Sequence, residues 1–128
     1  MIAVGDAIPE LVRTPSSVQL FAFSAATWNS HRIHYDAEFA HAEGYPDILV
    51  QSHLHACFLL QAVHGAWGPD LRVKRFGWQN RAPAVPGDKL TVSERVAQID
   101  RDRIELVLEE RNQRGELCAK GWATVVVA

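Results

Sequence analysis

Cysteine is scarce in this sequence: Cys57 and Cys118 are the only two among 128 residues. A chain of this length can build its own hydrophobic core, so two cysteines indicate reduced thiols and not a disulfide framework. Pairs of cysteines at the spacing of a zinc site are absent as well. The sequence therefore predicts neither a structural disulfide nor a metal site, and nothing in it indicates a cofactor.

Long apolar runs and an excess of positive charge are also missing. No stretch approaches the roughly 18 apolar residues of a membrane-spanning helix. The formal net charge is -2, whereas a nucleic-acid-binding surface normally shows as a basic stripe. Residues 1–6 lack the basic region and apolar run that begin a signal peptide. We therefore expect a cytoplasmic protein with no membrane and no nucleic-acid partner.

What the sequence does contain is a regular series of turn and capping residues within a single domain, residues 1–128. The first half is predicted to form a strand over 11–14, a helix over 18–27, a loop over 29–36, a helix over 37–43 capped by Asp36, and a long helix from an N-cap at Ser52 to Trp67. The second half is predicted to form strands over 71–81, 89–99, 103–110 and 116–127.

The long helix is apolar around most of its circumference, which is typical of a buried helix. The last three predicted strands follow one another as a meander. One buried helix laid on a curved antiparallel sheet is a two-layer α+β plan.

Residues 28–36 read Trp-Asn-Ser-His-Arg-Ile-His-Tyr-Asp and concentrate polar and histidine side chains. A histidine titrates near neutrality and can both take and give a proton. Polar loops are also common on protein surfaces, so composition alone does not establish a catalytic site here.

The residues around His34 resemble the hydratase motif of the MaoC-like family. Ile33-His34-Tyr35-Asp36 is followed by Phe39-Ala40 and by Glu43-Gly44-Tyr45-Pro46, and the usual family form is Asp-x-Asn-Pro-aliphatic-His-x-Asp. This version is most similar to the subgroup of hydroxyacyl-thioester dehydratase type 2 and mesaconyl-CoA hydratase. Residues 4–9 and the turn over 85–88 are also of the family type. The resemblance implies a hot-dog fold, in which an antiparallel curved sheet wraps around one long buried helix.

The resemblance also implies an activity: hydration of a trans-2-enoyl thioester, or dehydration of a 3-hydroxyacyl thioester, carried by coenzyme A or a carrier protein. The family uses an aspartate and a histidine five positions later, which fall on Asn29 and His34. An amide cannot act as a base, although it still donates and accepts hydrogen bonds. We therefore expect His34 to transfer the proton and Asn29 to position the water.

A second departure from the family lies at the start of the long helix, where its usual His-Gly pair is Gln51-Ser52. The backbone amide there donates to the thioester oxygen as it becomes an enolate, and Ser52 can still supply it. Gln51 replaces a residue that often lines the site and is a candidate substrate-binding residue. His31 is expected to face solvent or the rim of the pocket, where it could also contact substrate. His53 and His55 are too close in sequence for a helical metal pair. Both are expected at the helix surface or an interface, unless His55 faces the pocket.

Coenzyme A and phosphopantetheine carry phosphate, for which Arg32, Arg75 and Arg81 are candidate ligands. Arg32 could instead hold an acidic partner. The basic residues of 72–81 equally suit a solvated strand edge or surface ion pairs, and the sequence leaves these alternatives open.

Other functions compete with a hydratase. A hot-dog thioesterase is disfavoured, because many of these place a carboxylate on the long helix and residues 52–67 contain no Asp or Glu. A non-catalytic or half-catalytic subunit of a hetero-oligomeric hydratase stays open, since the family aspartate and glycine are replaced by Asn29 and Ser52. A tailoring enzyme of secondary metabolism could use the same pocket for an isomerisation or a cyclisation.

The helix and strands give a thin core for a chain of this length. Pairing sheets edge to edge in a dimer would bury more apolar surface. We expect a homodimer or higher homo-oligomer, or a hetero-oligomer with another hot-dog subunit.

Overall fold

A computed structural model of the chain describes residues 2–127. The helices are α1 (Ser17–Ala26), α2 (Ala37–Ala42) and α3 (Ser52–Trp67), with a short 3-10 helix (Arg32–His34) between α1 and α2. The strands are β1 (Leu11–Arg13), β2 (Leu71–Asn80), β3 (Leu90–Asp100), β4 (Arg103–Arg111) and β5 (Leu117–Val127). The predicted helices and strands are all present, with bounds that agree to within one residue.

The strands form a single antiparallel sheet in the order β1-β3-β4-β5-β2. Helix α3 contacts all five strands, so its buried side chains meet the inward side chains of the sheet in a common core. This confirms the predicted α+β arrangement of one long helix on an antiparallel sheet. None of the helices within residues 2–127 is long and apolar enough to span a membrane.

Side-chain caps fix where the two short helices begin. The Ser16 hydroxyl accepts a hydrogen bond from the Gln19 amide at 3.1 Å at the start of α1. The Asp36 carboxylate accepts from the Phe39 amide at 3.1 Å at the start of α2, which confirms the predicted cap. Each bond satisfies one of the backbone amides that a helix start leaves free.

The predicted N-cap of α3 is wrong. Gln51 occupies the N-cap position without a capping side-chain bond, and Ser52 is the first residue of the helix. The Ser52 hydroxyl instead accepts a hydrogen bond from the Trp78 indole N–H of β2 at 3.3 Å. The hydroxyl that the local sequence predicted as a helix cap therefore forms a tertiary hydrogen bond to β2.

Gly77 of β2 lies opposite Trp122 of β5 in the sheet. The Trp122 indole packs directly over the Gly77 backbone, in the space where a Cβ atom would lie. Glycine at this strand position thus accommodates the close approach of an aromatic ring that is itself half exposed.

Candidate active site

The loop that follows α1 begins with a backbone conformation unusual for its residue. Trp28 has φ of +59°, a left-handed conformation that costs a bulky residue about 1–2 kcal/mol. Its side chain is 92% exposed, so burial of that side chain does not offset the cost. The next residue, Asn29, donates its backbone N–H to Ser24 O at 2.9 Å. These features hold the Asn29 side chain half-buried beside α1.

His31 shapes the loop locally. Its Nδ1 accepts a hydrogen bond from the Ile33 amide at 3.1 Å and caps the 3-10 helix, so Nδ1 carries no proton. The His31 amide in turn donates to Asn29 Oδ1 at 3.3 Å. The exposed His31 ring lies 6.0 Å from the His34 ring between centroids. His31 is therefore next to His34, with one ring nitrogen occupied by the backbone.

His34 is fastened to the segment that leads into α3. Its Nδ1 lies 2.8 Å from Leu49 O, and because a carbonyl only accepts, Nδ1 carries the proton. The Leu49 amide donates to Ile33 O at 2.9 Å. In the neutral ring, Nε2 is left with a free lone pair and can act as a base.

Burial adjusts the acidity of this ring. Desolvation of half-buried His34 lowers its pKa below the usual 6.5, the bond to Leu49 O opposes part of that effect, and the neighbouring His31 lowers it further. The ring is therefore mainly neutral at pH 7. A neutral histidine with a fixed tautomer is the form that can accept a proton from water.

The start of α3 offers free backbone donors. The amides of Leu54 and His55 both donate to Gln51 O, at 3.1 and 3.2 Å. The amides of Ser52 and His53 precede them and donate to no acceptor within residues 2–127. Such amides at a helix N-terminus suit a negatively charged oxygen.

Gln51 joins α3 to α1. Its side chain is fully buried, and its Nε2 donates to Leu20 O at 2.7 Å and to the Ser24 hydroxyl at 2.9 Å. Ser24 also accepts from the Asn29 amide through its carbonyl. Gln51 thus ties the helix start to the residue that anchors Asn29, and it is not among the lining residues of the three cavities described below.

His55 lies inside the fold, so the expectation that it faces the helix surface is wrong. Its side chain is 4% exposed, and its Nδ1 is hydrogen bonded to the fully buried Glu110 carboxylate of β4. Sequence reasoning missed Glu110. The available signal was its strand position, because it shares an inward-facing alternation with Leu106 and Leu108.

The three candidate arginines lie in different surroundings. Arg32 pairs with Asp36 at 2.8 Å, stacks 4.7 Å from the centre of the Phe39 ring, and its hydrogen bond holds the pKa of the Asp36 carboxyl below its usual range. Arg75 is exposed on β2 and is not among the lining residues of the three cavities described below. Arg81 is exposed and lines a cavity together with His55.

Two cavities flank the segment that holds His34. One is an apolar groove of about 320 Å³ between α1 and the loop, which Phe21, Trp28 and Asn29 line. The other, of about 230 Å³, is lined by Leu49 and His55 together with Tyr45 and Asn80, which sequence reasoning also missed. A third groove of about 930 Å³ crosses strands β3–β5 near Trp122, away from every predicted site residue.

Comparison with known proteins supplies a family. Residues 6–86 match the family model described as hydroxyacyl-thioester dehydratase type 2. Over 105 residues the chain is 39% identical to mesaconyl-C(4)-CoA hydratase of Chloroflexus aurantiacus, a match that covers 80% of this chain and 35% of that protein. Over 84 residues it is 29% identical to mitochondrial hydroxyacyl-thioester dehydratase type 2 of Schizosaccharomyces pombe, covering 63% of this chain and 28% of that protein. The chain spans about a third of the length of these relatives.

Among solved structures, the fold is similar to that of a chain in the crystal structure of the ChsH1-ChsH2 complex from Mycobacterium tuberculosis. The TM-score is 0.93 at 23% sequence identity, and the match covers 100% of both chains. This likeness confirms the hot-dog fold.

Proposed function

The chain belongs to the hydroxyacyl-thioester dehydratase type 2 family, and on that premise we propose that it reversibly hydrates a trans-2-enoyl thioester, with His34 as the general acid and base. The curated relatives are a CoA-ester hydratase and a hydroxyacyl-thioester dehydratase. The observation that carries the proposal is the bond between His34 Nδ1 and Leu49 O. It leaves Nε2 of the neutral ring with a free lone pair that can act as a base.

In the hydration direction, neutral His34 takes a proton from water through Nε2 while the water oxygen bonds to C3 of the enoyl group. The electrons of the C2–C3 double bond move toward the thioester carbonyl and form an enolate. The imidazolium then returns the proton to C2, so histidine and enzyme end unchanged. Dehydration of the 3-hydroxyacyl thioester is the same sequence in reverse.

The enolate oxygen needs hydrogen-bond donors, and we assign this role to the backbone amides of Ser52 and His53. These amides have no acceptor within residues 2–127 and lie at the positive end of a 16-residue helix. Fixed donors of this kind stabilise charge that develops in the transition state. The family glycine is replaced by Ser52, but a backbone donor survives that change.

Asn29 is proposed to orient the attacking water. Its Oδ1 accepts from the His31 amide, which leaves its Nδ2 free, within the described residues, to donate to a water oxygen. The Asn29 side chain has no group that ionises near neutral pH. Its contribution is therefore positioning, and the proton chemistry rests on His34.

The pH dependence of kcat/KM tests this assignment. Only neutral His34 can accept the proton, and burial lowers its pKa below 6.5. With trans-2-enoyl-CoA substrates, kcat/KM for hydration should rise with pH through a midpoint below 6.5 and level off by pH 7. Loss of the enoyl absorbance gives the rate. A rate that is flat from pH 5 to pH 8 would contradict a titrating histidine base.

A specific observation favours a second candidate, a subunit that works only beside another hot-dog chain. Helix α1 and the loop that follows it expose large apolar side chains: Val18 is 75% exposed, Phe21 64% and Trp28 92%. Exposed apolar surface of this kind commonly marks a protein interface. β2 adds an edge strand of ten residues to which another strand could pair.

Size-exclusion chromatography with multi-angle light scattering separates the two candidates. A homodimer that hydrates enoyl-CoA on its own is the result expected from the main proposal. An inactive monomer at micromolar concentration that gains activity when a second hot-dog chain is added would instead establish the obligate subunit.

A further inference from the structure

The cavity beside His55 is lined by polar groups that have no role in the proposed hydration mechanism. Four of its lining residues carry polar side chains, namely Tyr45, His55, Asn80 and Arg81. Its remaining walls include Leu49, whose carbonyl oxygen holds the His34 ring. The cavity therefore borders the segment that positions the proposed base.

The buried pair behind this cavity determines how His55 can bind a ligand. A carboxylate only accepts hydrogen bonds, so the His55 Nδ1 that meets Glu110 carries a proton. The ring can therefore reach the cavity only through Nε2. Glu110 Oε2 is buried without a hydrogen-bond partner among the described residues, so His55 is the side chain that pairs with this carboxylate.

The other polar groups of the cavity can donate hydrogen bonds. The Arg81 guanidinium forms no salt bridge with an acidic residue within residues 2–127, and Arg81 is exposed at the cavity mouth. The Tyr45 hydroxyl and the Asn80 amide can also donate. No aspartate or glutamate of the described chain lines the cavity directly. One guanidinium and several neutral donors suit a bound oxyanion.

We propose that this cavity is an anion subsite that binds a charged oxygen group of the acyl thioester, with Arg81 as its principal ligand and Glu110 positioning His55. The inference rests on the proposed thioester chemistry and extends it to substrate selection. The charged group has two sources: a carboxylate on the acyl chain, or a phosphate of coenzyme A. A carboxylate would make this a hydratase of dicarboxylic enoyl thioesters.

Unreactive saturated thioesters test the subsite independently of turnover. Isothermal titration calorimetry would compare glutaryl-CoA with pentanoyl-CoA, which has a methyl group in place of the carboxylate, and pentanoyl-CoA with pentanoyl-pantetheine, which has no phosphate. Each would be titrated into the wild type, Arg81→Gln and Arg81→Lys. Arg103→Gln is the matched control, because Arg103 is exposed at the start of β4 and lines no described cavity.

If the ligand group is a carboxylate, glutaryl-CoA binds more tightly than pentanoyl-CoA, by about 10-fold to 100-fold, and Arg81→Gln removes that preference. If it is a phosphate, Arg81→Gln instead removes a preference of pentanoyl-CoA over pentanoyl-pantetheine. Arg81→Lys should retain most of either preference, and Arg103→Gln all of it. If Arg81→Gln changes neither preference, the anion subsite is refuted. Arg81-dependent binding without turnover of any enoyl-CoA would refute the hydratase proposal and leave the subsite standing.

Discussion

Replacing His34 with alanine is expected to lower the rate of crotonyl-CoA hydration by about 100-fold or more. The variant loses the Nε2 lone pair that accepts the proton from water. The other histidine of this loop, His31, has its Nδ1 lone pair engaged by a backbone amide, so we do not expect it to replace the lost base. The rate is measured as loss of the enoyl absorbance, with the far-UV circular dichroism spectrum recorded to verify folding. Asn29→Ala should reduce the rate less, since it removes positioning and not the base.

His64→Ala is the matched control for this experiment. His64 is exposed in the last turn of α3, at the opposite end of the helix from Ser52. This variant should hydrate crotonyl-CoA at the wild-type rate. A folded His34→Ala protein with nearly wild-type activity would remove His34 from the mechanism, whatever the fate of the control.

Replacing His55 with alanine is expected to destabilise the fold by about 3–5 kcal/mol, because it leaves the Glu110 carboxylate buried without its partner. Both side chains are buried where α3 packs against β4. Urea unfolding followed by tryptophan fluorescence gives the free energy of unfolding. His64→Ala, at an exposed position of the same helix, should change that free energy by less than about 0.5 kcal/mol.

A double variant distinguishes the cost of leaving the Glu110 carboxylate unpaired from the cost of losing the His55 side chain. His55→Leu with Glu110→Leu removes both polar groups and keeps apolar volume, so it should recover most of the stability that His55→Ala loses. If His55→Ala unfolds at the wild-type urea concentration, the His55–Glu110 pair does not contribute to stability.

Features with local causes could be predicted from the sequence. Asp36 caps α2 with its own carboxylate, and the apolar circumference of α3 is enough to place it against a sheet. The strand bounds followed from alternation and turn residues, which act over a few positions. The position of His34 came from a motif resemblance, which the family match supports.

Features that depend on distant residues could not be predicted in the same way. The tautomer of His34 is fixed by Leu49, fifteen positions away. The Ser52 hydroxyl accepts a hydrogen bond from Trp78 of β2 and does not cap α3. The partner of His55 is Glu110, 55 positions along the chain. Alternation places Glu110 on the inward face of β4, but only the packing of α3 reveals which side chain meets it.

The strand order has a consequence for how the chain reaches its native state. β5 is the last strand of the sheet in sequence, yet it lies between β4 and β2 and pairs with both. While β5 is still inside the ribosome, β2 has no neighbour in the sheet and α3 has part of its apolar surface uncovered. Before β5 emerges, the sheet can therefore pair only β1, β3 and β4. Closure waits for the pairing of β5 with the distant β2, which makes folding slow. A nascent chain stalled before β5 should be sensitive to proteases, and release of that strand should make it resistant.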